Sequence, residues 1–353
     1  MKQYKICQNC EYSYNDLRAK NCELCGESLD HKRLKSKANS SKKTINVVSK
    51  NKTIKTNFIA AAIVVLGLGA FLYSFTRSTA QTSEAVQLPS GLLPYWGPPC
   101  SVRLMSNKIA AEIKQDHPNF RLRFTDNDEN KDPIEELLDD QLFLVLSEKP
   151  FLDHHNELAK KKGVKLTGTP YAIDGIAYIT NKNTNVKSLT IEQLKAIYEG
   201  KISNWQQVGG EDRKIIPILL SGLGRNTLFL SLGELSNSTR YVQDRKEAMS
   251  IVKKEAGALF YTSATLAAIE KNINVISLQN QENQIVSPVI NGMPNQKAFS
   301  SGQYPQTRMM YTIQKEGING PVQDMVNSFV AYLTSPELGQ PIIEKSGFVP
   351  LYH

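Results

Sequence analysis

Residues 58–75 read FIAAAIVVLGLGAFLYSF, eighteen residues with no charge and no proline. As a helix rising 1.5 Å per residue they measure roughly 27 Å, close to the ~30 Å hydrocarbon core of a bilayer. A helix pairs its backbone groups internally, which the membrane interior demands. The stretch therefore predicts one transmembrane helix. A buried core helix is the competing reading, and it is the rarer outcome for an uncharged run of this length. The flanks orient it. Lys32, Arg33, Lys35, Lys37, Lys42, Lys43, Lys50, Lys52 and Lys55 precede the run, and only Arg77 follows it closely. Basic flanks stay in the cytoplasm, so the N-terminus is expected inside and the C-terminal part periplasmic or extracellular. Ser78-Thr79-Ala80 offers the small residues of a signal-peptidase site. However, 57 residues precede the run, and the run exceeds a signal peptide's usual 7–15 apolar residues. Both facts favour an uncleaved anchor.

Charge divides the chain at the same place. Residues 1–57 hold 13 Lys+Arg against 5 Asp+Glu, a net of +8. The whole chain is also +8, so residues 58–353 sum to zero. The basic character belongs to the N-terminal arm, and the large outer part gives no electrostatic reason to expect nucleic acid. Residues 76–353 are long enough for a sizeable core, split into two lobes.

Four of the five cysteines fall in the first 25 residues. Cys7 and Cys10 form one CxxC pair and Cys22 and Cys25 another, with 11 residues between the pairs. Four thiolates suit the tetrahedral preference of zinc, and Gly26 suits the tight turn after the second pair. The pattern resembles the short zinc ribbons at the N-termini of many bacterial proteins. It predicts a ribbon over residues 1–30 holding structural Zn2+ through Cys7, Cys10, Cys22 and Cys25. Four unrelated reduced cysteines are the alternative. His31 is read as a solvated linker residue. Residues 31–57 are rich in Lys, Ser and Asn and read as a flexible basic linker. Its lysines serve either as a topology signal or as a contact for anionic headgroups.

Residues 76–94 read as a polar juxtamembrane stalk. Beyond it, helical and extended patterns alternate, which predicts an α/β architecture. Helices are expected over 108–115, 156–162, from Thr190 to Gly200, from about 226, and over 321–334. Strands are expected over 120–124, 141–146, 171–180, 215–220, 256–261, 275–278 and 309–313. Thr190 and Gln193 form a capping box, and Gly200 closes that helix.

Several stretches are specific. Asp174-Gly175-Ile176-Ala177 lies on a strand ending at Asn181. Leu189-Thr190, Gln193-Leu194, Ile197-Tyr198, Gly200 to Trp205 and Val208-Gly209-Gly210 follow. Gly302, Tyr304-Pro305 and Arg308 come next. The chain closes with Ser335-Pro336-Glu337, Gly339-Gln340 and Lys345 to Leu351. In this order they resemble the phosphate-binding proteins of ABC importers, from about residue 102 to the C-terminus. The resemblance implies a type II periplasmic-binding-protein fold over residues 95–353. Two α/β lobes would be joined by crossovers near 171–181 and 279–313, with a ligand cleft between them.

In that family an anion is held by three loops that feed helix N-termini, through amides, hydroxyls and the helix dipole. The first loop maps onto Pro98-Pro99-Cys100-Ser101, where two prolines remove N–H donors. The second maps onto Ser147-Glu148-Lys149-Pro150, with Glu148 placed to accept a proton from a protonated ligand. The third maps onto Gly222-Leu223-Gly224-Arg225, which keeps the glycines and gains a guanidinium suited to oxyanions. The implied ligand set is Cys100, Ser101, Ser147, Glu148, Gly222, Gly224 and Arg225. The implied ligand is phosphate or a related small oxyanion, and an ABC permease is the implied partner. Because all three loops are altered, a second reading stands beside the first. In it the cleft has lost or changed its ligand, and the domain is a sensor or docking module. The tether to a cytoplasmic ribbon would then couple the outside to an inside protein partner.

Enzyme readings find little. There is no G-x-S-x-G, P-loop or H-E-x-x-H pattern. Nothing in the sequence pairs a nucleophile with a base. His154-His155 reads as a solvated pair, and Glu135-Glu136 and Asp139-Asp140 as an exposed helix face. Tyr198, Trp205 and Phe229 read as core. Arg308 reads as a structural ion pair.

Overall fold

The computed structural model describes residues 86–97, 101–125, 131–221, 232–317 and 319–353, without the side chains of residues 101–104. The expected ribbon, basic linker and membrane span lie outside the described residues. Among the described residues no helix is long and apolar enough to cross a membrane. Residues 87–353 form one unit.

The unit opens with strand β1 (Gly91–Trp96), followed by α1 (Ser101–Asp116) and β2 (Phe120–Phe124). Next come α2 (Pro133–Leu138), β3 (Leu144–Ser147) and α3 (Asp153–Lys161). β1 lies parallel to both β2 and β3. This corrects the expected stalk over residues 76–94, because Leu93 and Tyr95 are buried in the folded unit. Pro94 hid the strand, since proline cannot donate to a ladder. β3 pairs only with Tyr95 and Trp96, so Pro94 sits where β1 has a single neighbour.

β4 (Lys165–Asn181) is the axis of the unit. Its first part pairs antiparallel with β13 (Thr307–Glu316), which also pairs with β3. Its second part, from Ile176, pairs with β8 (Ala258–Ser263) and β9 (Ile273–Gln279). Between them come β5 (Ser188–Leu189), α4 (Ile191–Tyr198), β6 (Ile216–Leu220), β7 (Arg240–Val242) and α5 (Arg245–Lys254). α6 (Ala264–Ile269) follows β8, and the return to β13 runs through β10 (Ile285–Val286), β11 (Val289–Ile290), β12 (Met293–Pro294) and α7 (Gln296–Ser300). The chain ends with α8 (Pro321–Thr334), α9 (Gly339–Lys345) and β14 (Val349–Pro350), which pairs back on β4.

Two apolar cores flank this axis. One gathers Ile134, Leu137, Leu142, Val145, Leu166 and Ile313. The other gathers Ile179, Leu194, Trp205, Ile218, Val252, Phe260 and Ile276. The sheet passes from the first lobe to the second along β4, the place expected for the first crossover. Local signals agree with the outcome. Thr190 Oγ1 accepts from Gln193 N at 3.1 Å, and Gln193 Oε1 accepts from Thr190 N at 2.9 Å, so the capping box is formed. Gly200 takes φ +77°, the left-handed conformation that ends α4.

Candidate ligand site

Ser147 is the last residue of β3, and the turn after it leads to α3. Its hydroxyl donates to Lys149 O at 2.7 Å and accepts from Lys149 N at 3.2 Å. The hydroxyl thus closes its own turn, a local bond typical of serine. Glu148 follows, 6% exposed. Its Oε2 accepts from Arg308 Nη1 at 2.6 Å. The sequence expectation aimed this carboxylate at a ligand proton. The structure places it in a buried ion pair, because β13 brings a guanidinium beside the end of β3.

Arg308 lies directly opposite Asp174 in the β13–β4 register. Its Nε and Nη2 donate to Asp174 Oδ2 at 3.0 and 2.7 Å. Asp174 Oδ1 accepts from Ser263 Oγ at 2.7 Å. Ser263 Oγ in turn accepts from Thr265 N at 3.2 Å and caps α6. Burial raises the Asp174 carboxyl above its ordinary range, against the opposing pull of Arg308, Ser263 and the Gly175 amide. Tyr171 stands fully buried nearby. Burial first, and then the charges of Glu148 and Asp174, push its hydroxyl well above the ordinary tyrosine value. Among the described residues that hydroxyl has no hydrogen-bond partner.

The cluster therefore joins the turn after β3, both crossing strands and the start of α6. A guanidinium suits this role because its planar fork can serve two carboxylates at once. Arg308 was legible as an ion-pair residue, and the structure adds its two partners. Asp174 was legible only as part of a motif. The signal that marks it is a carboxylate inside the apolar run YAIDGIAYIT, since a buried charge demands a partner.

The other expected ligand residues are placed as follows. Ser101 is the first residue of α1, and its side chain is outside the described residues. Cys100, Gly222, Gly224 and Arg225 lie outside them as well.

A second cluster carries ligand-type atoms. Asp132, His154 and His155 bring them within 4.8 Å of one another. The geometry is structural. His155 Nδ1 accepts from Leu152 N at 3.0 Å, so Nε2 is the donor to Asp132 Oδ2 at 3.1 Å. Asp132 Oδ1 accepts from Ile134 N at 2.8 Å and caps α2. Both ring nitrogens are engaged, and His155 ties α3 to the cap of α2. The expected solvated pair is thus corrected at His155, which is buried. Asp140 likewise leaves the helix and pairs with the buried amine of Lys315.

Phosphate-binding protein PstS of Bacillus subtilis is 23% identical over 184 residues, covering 51% of this chain and 56% of that protein. Phosphate-binding protein PstS of Borreliella burgdorferi is 28% identical over 197 residues, covering 51% of this chain and 64% of that protein. The chain thus spans between half and two thirds of the length of these curated relatives. Among solved structures, a phosphate ABC transporter substrate-binding protein from Clostridium perfringens superposes with a TM-score of 0.59 at 20% identity. That match covers 74% of this chain and 100% of the other. An ABC-type phosphate transport receptor from Vibrio cholerae gives 0.56 at 19%, with the same coverage. At these identities the structures speak for the fold. The relatives are named as phosphate-binding proteins. The family model described as PBP superfamily domain matches residues 102–337, and the chain belongs to that family.

Proposed function

We propose that this protein is a membrane-anchored extracytoplasmic solute-binding protein that takes phosphate or a related small oxyanion in the cleft between its lobes. The observation that carries the reading is the similarity to phosphate-binding relatives, centred on a fold whose β3 turn and crossing strands meet at one place. The ligand set is Cys100, Ser101, Ser147, Glu148, Gly222, Gly224 and Arg225, with Arg225 supplying the cation. The membrane contact is residues 58–75, and an ABC permease is the transport partner. The test is calorimetric titration of the purified full-length chain with phosphate and then sulfate. Micromolar or tighter phosphate binding, abolished by Arg225→Ala, supports the reading. No heat and no thermal stabilisation with either ion refutes it.

One observation favours a second reading. Ser147 and Glu148 both hold intramolecular bonds, so two groups of the family's ligand set have local partners here. A domain with an altered ligand, acting as a sensor toward a cytoplasmic protein, accommodates this. In that case the titration stays silent, while deletion of residues 1–30 changes the phenotype of the full-length protein.

The N-terminal arm is proposed as a structural zinc ribbon. One zinc per chain is expected, held by Cys7, Cys10, Cys22 and Cys25, and metal analysis of the purified protein checks it.

A further inference from the structure

We propose that Arg308 is a positioning residue: it couples the Ser147–Lys149 turn of one lobe to the start of α6 in the other, so that ligand turn and lobes move together. The chain of bonds is continuous. Glu148 belongs to the first lobe, Arg308 and Asp174 to the two crossing strands, and Ser263 to the second lobe. Each link is a hydrogen bond of 2.6–3.2 Å between buried groups. Water does not compete for buried groups, so each link is stronger here than on the surface.

The backbone alone gives a weaker connection at this point. The β13–β4 ladder shifts register between Met310 and Tyr311. Such an irregularity leaves a residue unpaired and bends the strand. The side-chain network stands beside that shift: Arg308 lies opposite Asp174 two residues before it, and Glu148 follows Ser147, which pairs with Tyr311 just after it. Where lobes turn about crossing strands, a small set of residues absorbs the change. Here those strands are pinned by a two-carboxylate clamp on a single guanidinium.

The inference rests on the two-lobed fold and not on the identity of any ligand. It is tested by hydrogen exchange on the full-length chain, comparing wild type, Glu148→Gln and Ser263→Ala without added anion. Glu148→Gln keeps the shape and removes the charge. It is expected to speed exchange about tenfold in the far lobe, at the amides of residues 176–180 and 258–263. Ser263→Ala approaches from the other side and is expected to speed exchange in the 147–149 turn. Changes confined to the substituted lobe overturn the proposal. So does an equal acceleration of every protected amide, which signals only a lower global stability. Should Glu148→Gln fail to fold, Ser263→Ala decides alone. A silent phosphate titration with cross-lobe acceleration intact would remove the oxyanion reading and leave this one. Phosphate binding with strictly local exchange changes would do the reverse.

Discussion

Arg308, Asp174 and Glu148 form the most costly arrangement in the described structure, three charges removed from water at one place. A buried pair contributes little net energy, but stripping one partner leaves an uncompensated charge. Arg308→Met is therefore expected to cost about 3–5 kcal/mol in urea unfolding. A loss under about 1 kcal/mol, the range of exposed pairs, would contradict the burial argument. The pH dependence has a definite sign. Folding raises the Asp174 carboxyl because burial outweighs its donors. Its contribution is thus present below the ordinary carboxylate range and is lost as pH rises through the folded value. The stability of the wild type relative to Asp174→Asn should fall as pH climbs above about 4. Glu270 runs the other way. Burial pushes it up, but the Lys253 hydrogen bond and the Arg245 and Lys253 charges outweigh that and lower it. Its contribution is present above the ordinary value and is lost on acidification. Thermal melts of Asp174→Asn and Glu270→Gln across the acid range separate the two. The sequence placed Asp174 only within a motif and did not show its partner. Arg308 is 134 residues away, and only the β13–β4 register brings it opposite.

Elements differ in how far they were legible. α8 was read over its observed bounds, Pro321–Thr334, because an amphipathic period and Pro321 at its first turn are local signals. β1 was missed because Pro94 suppresses the strand pattern and its partners β2 and β3 come later in the chain. The crossing strand itself carries a packing constraint. A Cβ on Gly175 would stand 2.2 Å from the Phe299 ring, a distance no real contact tolerates. The ring is buried and held by Tyr304 at 5.4 Å, so it has little room to yield. Gly175→Ala should destabilise by about 1–3 kcal/mol as overpacking. Phe299→Leu in the same chain should recover part of that loss. Additive losses in the double variant would mean that the two residues do not share the space. Gln340 gives a sharper case at the C-terminus. Its amide donates to Tyr171 O and Leu333 O at 3.1 and 2.8 Å. Its carbonyl accepts from Leu351 N and Tyr352 N at 2.6 and 3.0 Å. Gln340→Ala removes the side-chain partner of four backbone groups, two of them buried and two half-buried, and a loss of about 3 kcal/mol is expected by chemical denaturation.

At the scale of the whole molecule, the fold was legible because ordered motifs along residues 102–353 fix a topology. The ligand was not, because all three of its loops depart from the family pattern, and Glu148 of the second is engaged with Arg308. The chain's asymmetry points to a division of labour. All of the net charge and the four clustered cysteines belong to residues before the apolar run. Residues 87–353 form a unit with their own cores. If the zinc stabilises only its ribbon, stripping it should leave that unit alone, because metal binding stabilises only the structure that holds the ions. Cys22→Ser is therefore expected to remove one zinc per chain while the main calorimetric transition stays within about 1 °C. Each 1 kcal/mol shifts the midpoint of a domain this large by about 2–4 °C. A downward shift of several degrees would show that the arm and the 87–353 unit are energetically coupled. It would also supply the link that signalling from a ligand cleft to a cytoplasmic partner requires.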